Sequence, residues 1–412
     1  MSRFLGLDGV RAIACLLVVF HHAVQRLGVL APNEFLAGVQ RVFWITAPAG
    51  VSVFFVLSGT LLSYPFWKQY LDNQSMPGLK DYTIRRAARI IPGFYLVLTL
   101  SLLLEIFLLP ESPSRLLRYI TGLTFTAGFH YTTFFPVPAL NGPLWSISLE
   151  VFSYLLLPIF MGGLFWLSKR RSFTTALCYW LGVLALILVL NSLIQTLCQP
   201  DDINRGWQYG AVGGAKYWMP NYNPIGFFAH YMMGIFAAGF MVWLGKNPAL
   251  RERLAKFYFF DLFAIGGLVG FITILWTQKT TPDFGFSWQN QPYYYPALAL
   301  SIGAVLTVVP YSKIVGYILD NRFSRYTAKI SFGIYIWHFL IMMLVMAIAA
   351  PDHKPMPIKD FPTWIEVMGI VVMLTYMLAS LSWHFIEKPL LDIAHRKIHG
   401  SNNFKTNTSK NS

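Results

Sequence analysis

The 412 residues carry 12% charged, 55% hydrophobic and 17% aromatic side chains, with a mean hydropathy of +0.51. Soluble domains are about a quarter charged, so this composition excludes a soluble globular protein and points to an all-α integral membrane protein of many spans. The net charge of +14 does not mark a nucleic-acid binder in such a chain, because excess Lys and Arg is the ordinary signature of cytoplasmic loops.

The first apolar run, roughly 8–28, contains LDGVRAIACLLVVFHHA, residues 7–23. It lacks a basic n-region and a small-residue cleavage site, and is expected to stay as a helix. Arg11 and His22 are eleven residues apart, about three turns, so both project from nearly one face roughly 16 Å apart along the axis. Asp8 precedes Arg11 by three and can cap the helix while pairing with it. An arginine can snorkel from a helix end, and a histidine can simply hydrogen-bond a neighbouring helix. Two such residues aligned on one face instead suit a functional path, since ionisable groups are costly in lipid. His21, turned about 100° from His22, reads as structural.

Further spans are expected at roughly 46–66 and 91–109. Between them lies KDYTIRRAARIIP, residues 80–92, where Arg85 and Arg89 share a helix face with Arg86 beside them. Ordinary positive-inside anchoring explains such a cluster; spaced guanidinium groups also suit a multiply phosphorylated ligand. The apolar stretch 119–135 is broken by Gly122, Gly128 and His130 and runs into Pro136 and Pro138. It is expected to be re-entrant or interfacial, which is tolerable only if buried in protein or lining a wet cavity.

The next span, 143–166, opens within NGPLWSISLE, residues 141–150, and Pro143 suits a helix start. Glu150 is then about seven residues below the outer surface and His22 about six, so the two are expected to meet. A carboxylate beside a histidine fixes its tautomer and raises its basicity, as a general base requires. The alternative is a structural hydrogen bond from Glu150 to a backbone group or to Ser146. Spans at 173–198, 225–245, 258–277, 293–310, 330–350 and 363–386 complete a set of ten. The outer loops DDINRGWQYGAVGGAKYWMPNYNP (201–224) and DFGFSWQNQPYYYP (283–296) interleave aromatic and amide side chains. Part of this is the interfacial aromatic belt; the same mixture also suits sugar rings and hydroxyls. His338 enters the ninth span as either a second functional histidine or a helix–helix hydrogen bond, His130 stays open, and His230 and His384 read as structural. Cys15, Cys178 and Cys198 form neither a disulfide framework nor a metal spacing. Residues 1–390 are read as one ten-helix membrane domain, and 391–412 as a polar, basic tail without hydrophobic pattern, expected to be disordered.

With the N-terminus inside, the inner segments hold 22 basic residues against 9 in the outer segments, as the positive-inside rule asks. Both termini are therefore expected in the cytoplasm, with the protein in the cytoplasmic (inner) membrane.

Taken in order, LDGVRAIACLLVVFHH, FFVLSGTLLS (54–63), RRAARIIPGFY (85–95), LWSISLEVFSYLL (144–156), SFGIYIWHFLI (331–341) and HFIEKPL (384–390) resemble acyltransferase family 3. This family comprises integral-membrane O-acyltransferases, among them O-acetyltransferases of bacterial envelope glycans. The Arg–ten residues–His signature falls on Arg11 and His22, and so selects His22 over His21. The resemblance implies acetyl-CoA or another acyl-CoA as a cytoplasmic co-substrate, with no permanently bound cofactor and no metal. It implies as acceptor a hydroxyl of an envelope polysaccharide, glycolipid or lipid-linked sugar. On it, Arg11, Arg85, Arg86 and Arg89 hold the donor's phosphates, and His22 with Glu150 stands at the transfer site, as general base or as an acyl carrier. Asp8, Ser146, Ser148 and His338 are further candidates, and Trp207, Tyr209, Trp218 and Trp288 are candidates for the glycan. Some relatives carry a fused esterase-like domain; this chain ends about 26 residues after the tenth span, so such a partner is expected to be separate or unnecessary. A transporter with Arg11 and His22 lining its pathway is the rival reading. It would be favoured by inverted repeats or paired broken helices, and neither is evident. A haem-binding bundle is remote, because no span carries two histidines spaced to serve stacked haems.

Overall fold

The computed structural model describes residues 4–27, 33–38, 49–110, 112–167, 171–197, 204–280, 297–349, 358 and 361–396. Every regular element among them is helical. Helix α1 is Leu7–Leu27, α2 Gly50–Leu71, α3 Leu79–Leu108, α4 Arg115–Leu123, α5 Trp145–Leu167, α6 Phe173–Leu197 and α7 Gly210–Trp218. Then follow α8 Pro224–Lys246, α9 Pro248–Lys256, α10 Phe259–Thr280, α11 Ala297–Val308, α12 Arg322–Ala349 and α13 Phe361–Ser382. Helices α1, α2, α3, α5, α6, α8, α10, α12 and α13 are, among the described residues, the nine long and apolar enough to cross a membrane. The chain is a multi-pass, all-α membrane protein. At the span expected at 293–310 the described residues form α11, an apolar helix of 12 residues that is shorter than the nine of crossing length; the four residues before it lie outside the described ones.

We call the side on which α1 begins the near side. Lys246 at the end of α8 pairs with Asp72 just after α2 at 2.7 Å. Arg171, after α5, donates to the carbonyl of Gln74, and Gly9 packs directly on Leu319, just before α12. These three contacts gather the near ends of seven helices. On the far side Ile358 donates to the carbonyl of Leu27 at 3.3 Å, and Gln195 at the end of α6 donates to Asn221 before α8 at 3.3 Å. Successive spans therefore alternate in direction.

Three boundaries differ from expectation. Helix α3 starts twelve residues early, at Leu79 rather than 91, so RRAARIIP, expected between two spans, is the near end of a spanning helix. Helix α12 likewise starts at Arg322 rather than 330. After α13 a π-helical turn, Trp383–Glu387, leads into helix that runs on to Arg396, six residues into the segment expected to be tail. Residues 397–412 lie outside the described ones.

The segment 119–135 does not cross. Helix α4 has nine residues, about 13 Å of rise, which is less than half a hydrocarbon core. Two 3₁₀ turns, Ala127–Phe129 and Gly142–Leu144, and irregular chain carry on to α5. Phe134, Phe135 and Val137 of this irregular stretch are buried. Its backbone is satisfied from within: Arg118 Nε donates to Thr132 O at 2.9 Å, and Thr133 Oγ1 to Ala127 O at 3.1 Å. Non-helical backbone at membrane depth survives only where protein supplies such partners.

Helix α8 is the centre of the bundle, with 83% of its most apolar window buried against 22% for α6. A span apolar all round is what a central position requires. It packs on α2 more extensively than any other helix pair. At the crossing Gly59 meets the carbonyl of Tyr231, and Gly234 the carbonyl of Val56, so closely that a Cβ on either would collide with backbone. Small residues allow membrane helices this approach, and it holds the Ser58 face of α2 at fixed height over the site.

Candidate active site

Two cavities lie one above the other along α1. The near cavity, about 300 Å³, is lined by Arg11, Arg86, Arg89, Glu150, Ser58 and Tyr154, with Ser146 higher up. The far cleft is narrower, about 70 Å³, and is lined by His22, Trp145, Trp207, Trp218, Tyr222 and Phe227. Val51 and Tyr335 line both, and so form the neck between them. The alignment of Arg11 with His22 thus joins two chambers on opposite sides of one constriction.

The neck is held by hydrogen bonds. Tyr335 Oη donates to Pro143 O at 2.9 Å, which leaves its oxygen to accept from Ser146 Oγ. Nearby, Asn141 Nδ2 donates to the carbonyl of Ile336 at 3.0 Å. Both contacts tie the start of α5 to the middle of α12.

Above the neck stands a histidine pair. His338 Nδ1 lies 2.7 Å from the carbonyl of Tyr335 and 3.2 Å from that of Ile334. A carbonyl only accepts, so Nδ1 carries the proton and Nε2 is left with its lone pair. His338 Nε2 is 3.0 Å from His22 Nδ1, which must then be the donor. His22 Nε2 is consequently the unprotonated nitrogen. His338 is fully buried, and the ring of Phe339 packs edge-on to His22 with centroids 5.2 Å apart, so the pair is held rigidly.

Glu150 is not where depth counting put it. It lines the near cavity, accepting from Ser58 Oγ at 3.0 Å and from Tyr154 Oη, and the partner of His22 is His338. The physical reason is the sunken start of α5. Asn141 and Pro143 are fastened at the level of Tyr335 and Ile336, already below His338, so seven further residues carry Glu150 about 10 Å deeper. Counting from a helix start assumes that the start is at the membrane surface.

The arginines also sort differently. Arg86 and Arg89 line the near cavity with Arg11, while Arg85 does not. Gly93 packs on Phe332 and Ile336 of α12, which fixes the inward face of α3. Arg86 and Arg89, seven and four residues earlier, lie within about 40° of that face, whereas Arg85 is about 80° away. Arg89 is further held with its guanidinium 5.4 Å over the ring of Trp383, in the π-helical turn. Asp8 stands in the first turn of α1 without lining the cavity. Ser148 is buried and lines neither chamber. Among the aromatic candidates, Trp207 and Trp218 line the far cleft; Tyr209 is half exposed and does not. Trp288 lies outside the described residues. His21 lines the cleft beside His22, contrary to its expected turn away.

Tyr335, Ser58, Tyr154 and Trp145 were missed by reasoning on ionisable residues alone. Their signal was available in FFVLSGTLLS, LWSISLEVFSYLL and SFGIYIWHFLI, whose polar and amphipathic side chains interrupt otherwise apolar spans.

A family model described as "Acyltransferase domain" matches residues 4–385, nearly the whole membrane unit and both chambers. The chain belongs to acyltransferase family 3. As a member of that family it is similar to "Peptidoglycan O-acetyltransferase OatA" of Listeria monocytogenes serovar 1/2a, 25% identical over 404 residues that cover 93% of this chain and 55% of that protein. It is also similar to "Putative peptidoglycan O-acetyltransferase YrhL" of Bacillus subtilis (strain 168), 25% identical over 401 residues, 93% of this chain and 54% of that protein. The chain spans about half the length of these relatives. No solved structure matches it.

Proposed function

We propose that the chain is a membrane O-acetyltransferase that draws its acyl group from acyl-CoA in the near cavity and delivers it to a hydroxyl of an envelope glycan in the far cleft. The observation that carries this reading is the hydrogen-bonded order His22–His338–Tyr335 carbonyl, which leaves His22 Nε2 free to take a proton. The acceptor O–H gives its proton to His22 Nε2 as its oxygen bonds to the thioester carbonyl carbon. The C–S bond then breaks, and the leaving sulfur takes the proton back from the imidazolium. Throughout, His22 Nδ1–H keeps its bond to His338, so the developing cation is stabilised without rearrangement.

Supporting the donor assignment, three guanidinium groups and one carboxylate line the near cavity, a surplus of positive charge suited to phosphates. The near side also carries most of the basic residues, which supports a cytoplasmic orientation for it in a bacterial inner membrane. The far cleft offers indole and phenol faces against sugar C–H groups. At its present width it admits the reacting hydroxyl and a ring edge, with the rest of the glycan along the mouth, where Trp207 is half exposed.

The test is acyl transfer by purified protein given labelled acetyl-CoA and envelope glycan. His22→Ala is expected to lose 10²–10⁴-fold in rate, the usual worth of a general base, while His21→Ala keeps most activity because it is His22 whose Nδ1 is held by His338 Nε2. Full activity in His22→Ala would remove this residue from the chemistry and return Arg11 and His22 to the transporter reading.

A further inference from the structure

One charged side chain in the far cleft has no part in the chemistry above. Arg26 follows His22 by four residues, so it shares that face of α1 about 6 Å nearer the far mouth. It lines the cleft together with His22 and Gln25. An arginine at a helix end would ordinarily snorkel to headgroups. Arg26 instead turns inward, its guanidinium carbon 5.2 Å over the ring of Phe339, and its Nε is buried without a hydrogen-bond partner. Among the described residues no carboxylate pairs with it, and no Asp or Glu lines the cleft. A partly buried guanidinium with a buried, unbonded Nε and no carboxylate against it among the described residues favours an anion that comes to it.

From this we infer that the acceptor is an anionic glycan, read by Arg26 through a carboxylate or phosphate about one helical turn outward from the hydroxyl that His22 deprotonates. The inference rests on the proposed transferase reading and adds to it the charge class of the acceptor. Arg26 serves here as a specificity residue: its fork of donors takes two oxygens of the anion while the aromatic faces hold the ring. The anion's distance from Arg26 then sets which hydroxyl falls at His22 Nε2.

The test uses the full chain in its own membrane, as wild type, Arg26→Lys and Arg26→Gln, with protein amounts matched by immunoblot. Envelope glycans are digested and their ester-bearing units sequenced by mass spectrometry. In wild type the esters are expected on units that carry a carboxylate or phosphate on the same or the adjacent sugar, and the mass separates these two sources. Esterification should fall about tenfold or more in Arg26→Gln and be largely kept in Arg26→Lys. In isolated membranes, acceptor KM should rise by that factor while kcat stays within about threefold. Esters confined to neutral units in wild type overturn the inference whatever the variants do, as does an unchanged Arg26→Gln; both leave the transferase reading intact. A fall in kcat at constant KM also overturns it, assigning Arg26 to the thioester oxyanion. An absence of esters in wild type defeats the transferase reading itself.

Discussion

At His338 one ring proton decides whether His22 is a base. If Nδ1 of His338 bonds the Tyr335 carbonyl, the proton order runs outward and leaves His22 Nε2 with its lone pair; reversed, His22 would present an N–H and could not accept. The chemistry thus depends on a residue that touches no substrate. His338→Leu removes the acceptor for His22 Nδ1–H and frees the ring to turn, and it is expected to lower kcat at least tenfold, short of the loss in His22→Ala. Donor KM should be unchanged. His338→Gln, whose Oε1 can accept from His22, should recover part of the rate. Equal kcat in wild type and His338→Leu would reduce the pair to a packing contact. Sequence spacing placed Arg11 and His22 on one face, because helical periodicity is local. It left His338 open, because the contact joins residues 316 positions apart and no local pattern encodes it.

Among the elements, α3 and α5 show where such reading ends. The basic cluster was visible in RRAARIIP, but its inward face was not, since a 100° step per residue permits either neighbour until Gly93 docks on α12. This yields a test at helix scale. Arg86→Gln with Arg89→Gln removes two charge-assisted contacts of about 1.5–3 kcal/mol each, and donor affinity should fall more than a hundredfold with normal membrane insertion. Arg85→Gln should change it less than threefold. Equal effects would mean that the whole cluster is a topology anchor. For α5, the apolar run and its Pro143 start were legible, and its depth was not. The buried stretch between α4 and α5 lowers the helix start into the membrane, and only the long-range bonds of Asn141 and Tyr335 to each other's helices reveal it. Conversely, the broken pattern of 119–135 was a sound sign of a non-crossing segment, because glycines and prolines interrupt a helix for local reasons.

For the molecule as a whole, the account is of two chambers facing opposite sides, joined at Val51 and Tyr335, with chemistry at the far one and charge at the near one. Nine of the ten expected spans are helices of crossing length among the described residues, their alternation was readable from apolar length, and their arrangement around α8 follows from its apolarity on every side together with Gly59 and Gly234. Sidedness is the central claim, and sealed vesicles of opposite orientation measure it directly. Labelled acetyl-CoA, which does not cross the bilayer, is added outside inside-out and right-side-out membrane vesicles, and acyl label on envelope glycan is followed. The account predicts label only in inside-out vesicles, on glycan within the lumen, and its loss with His22→Ala. Equal labelling in both orientations, or labelling that survives His22→Ala, would contradict it.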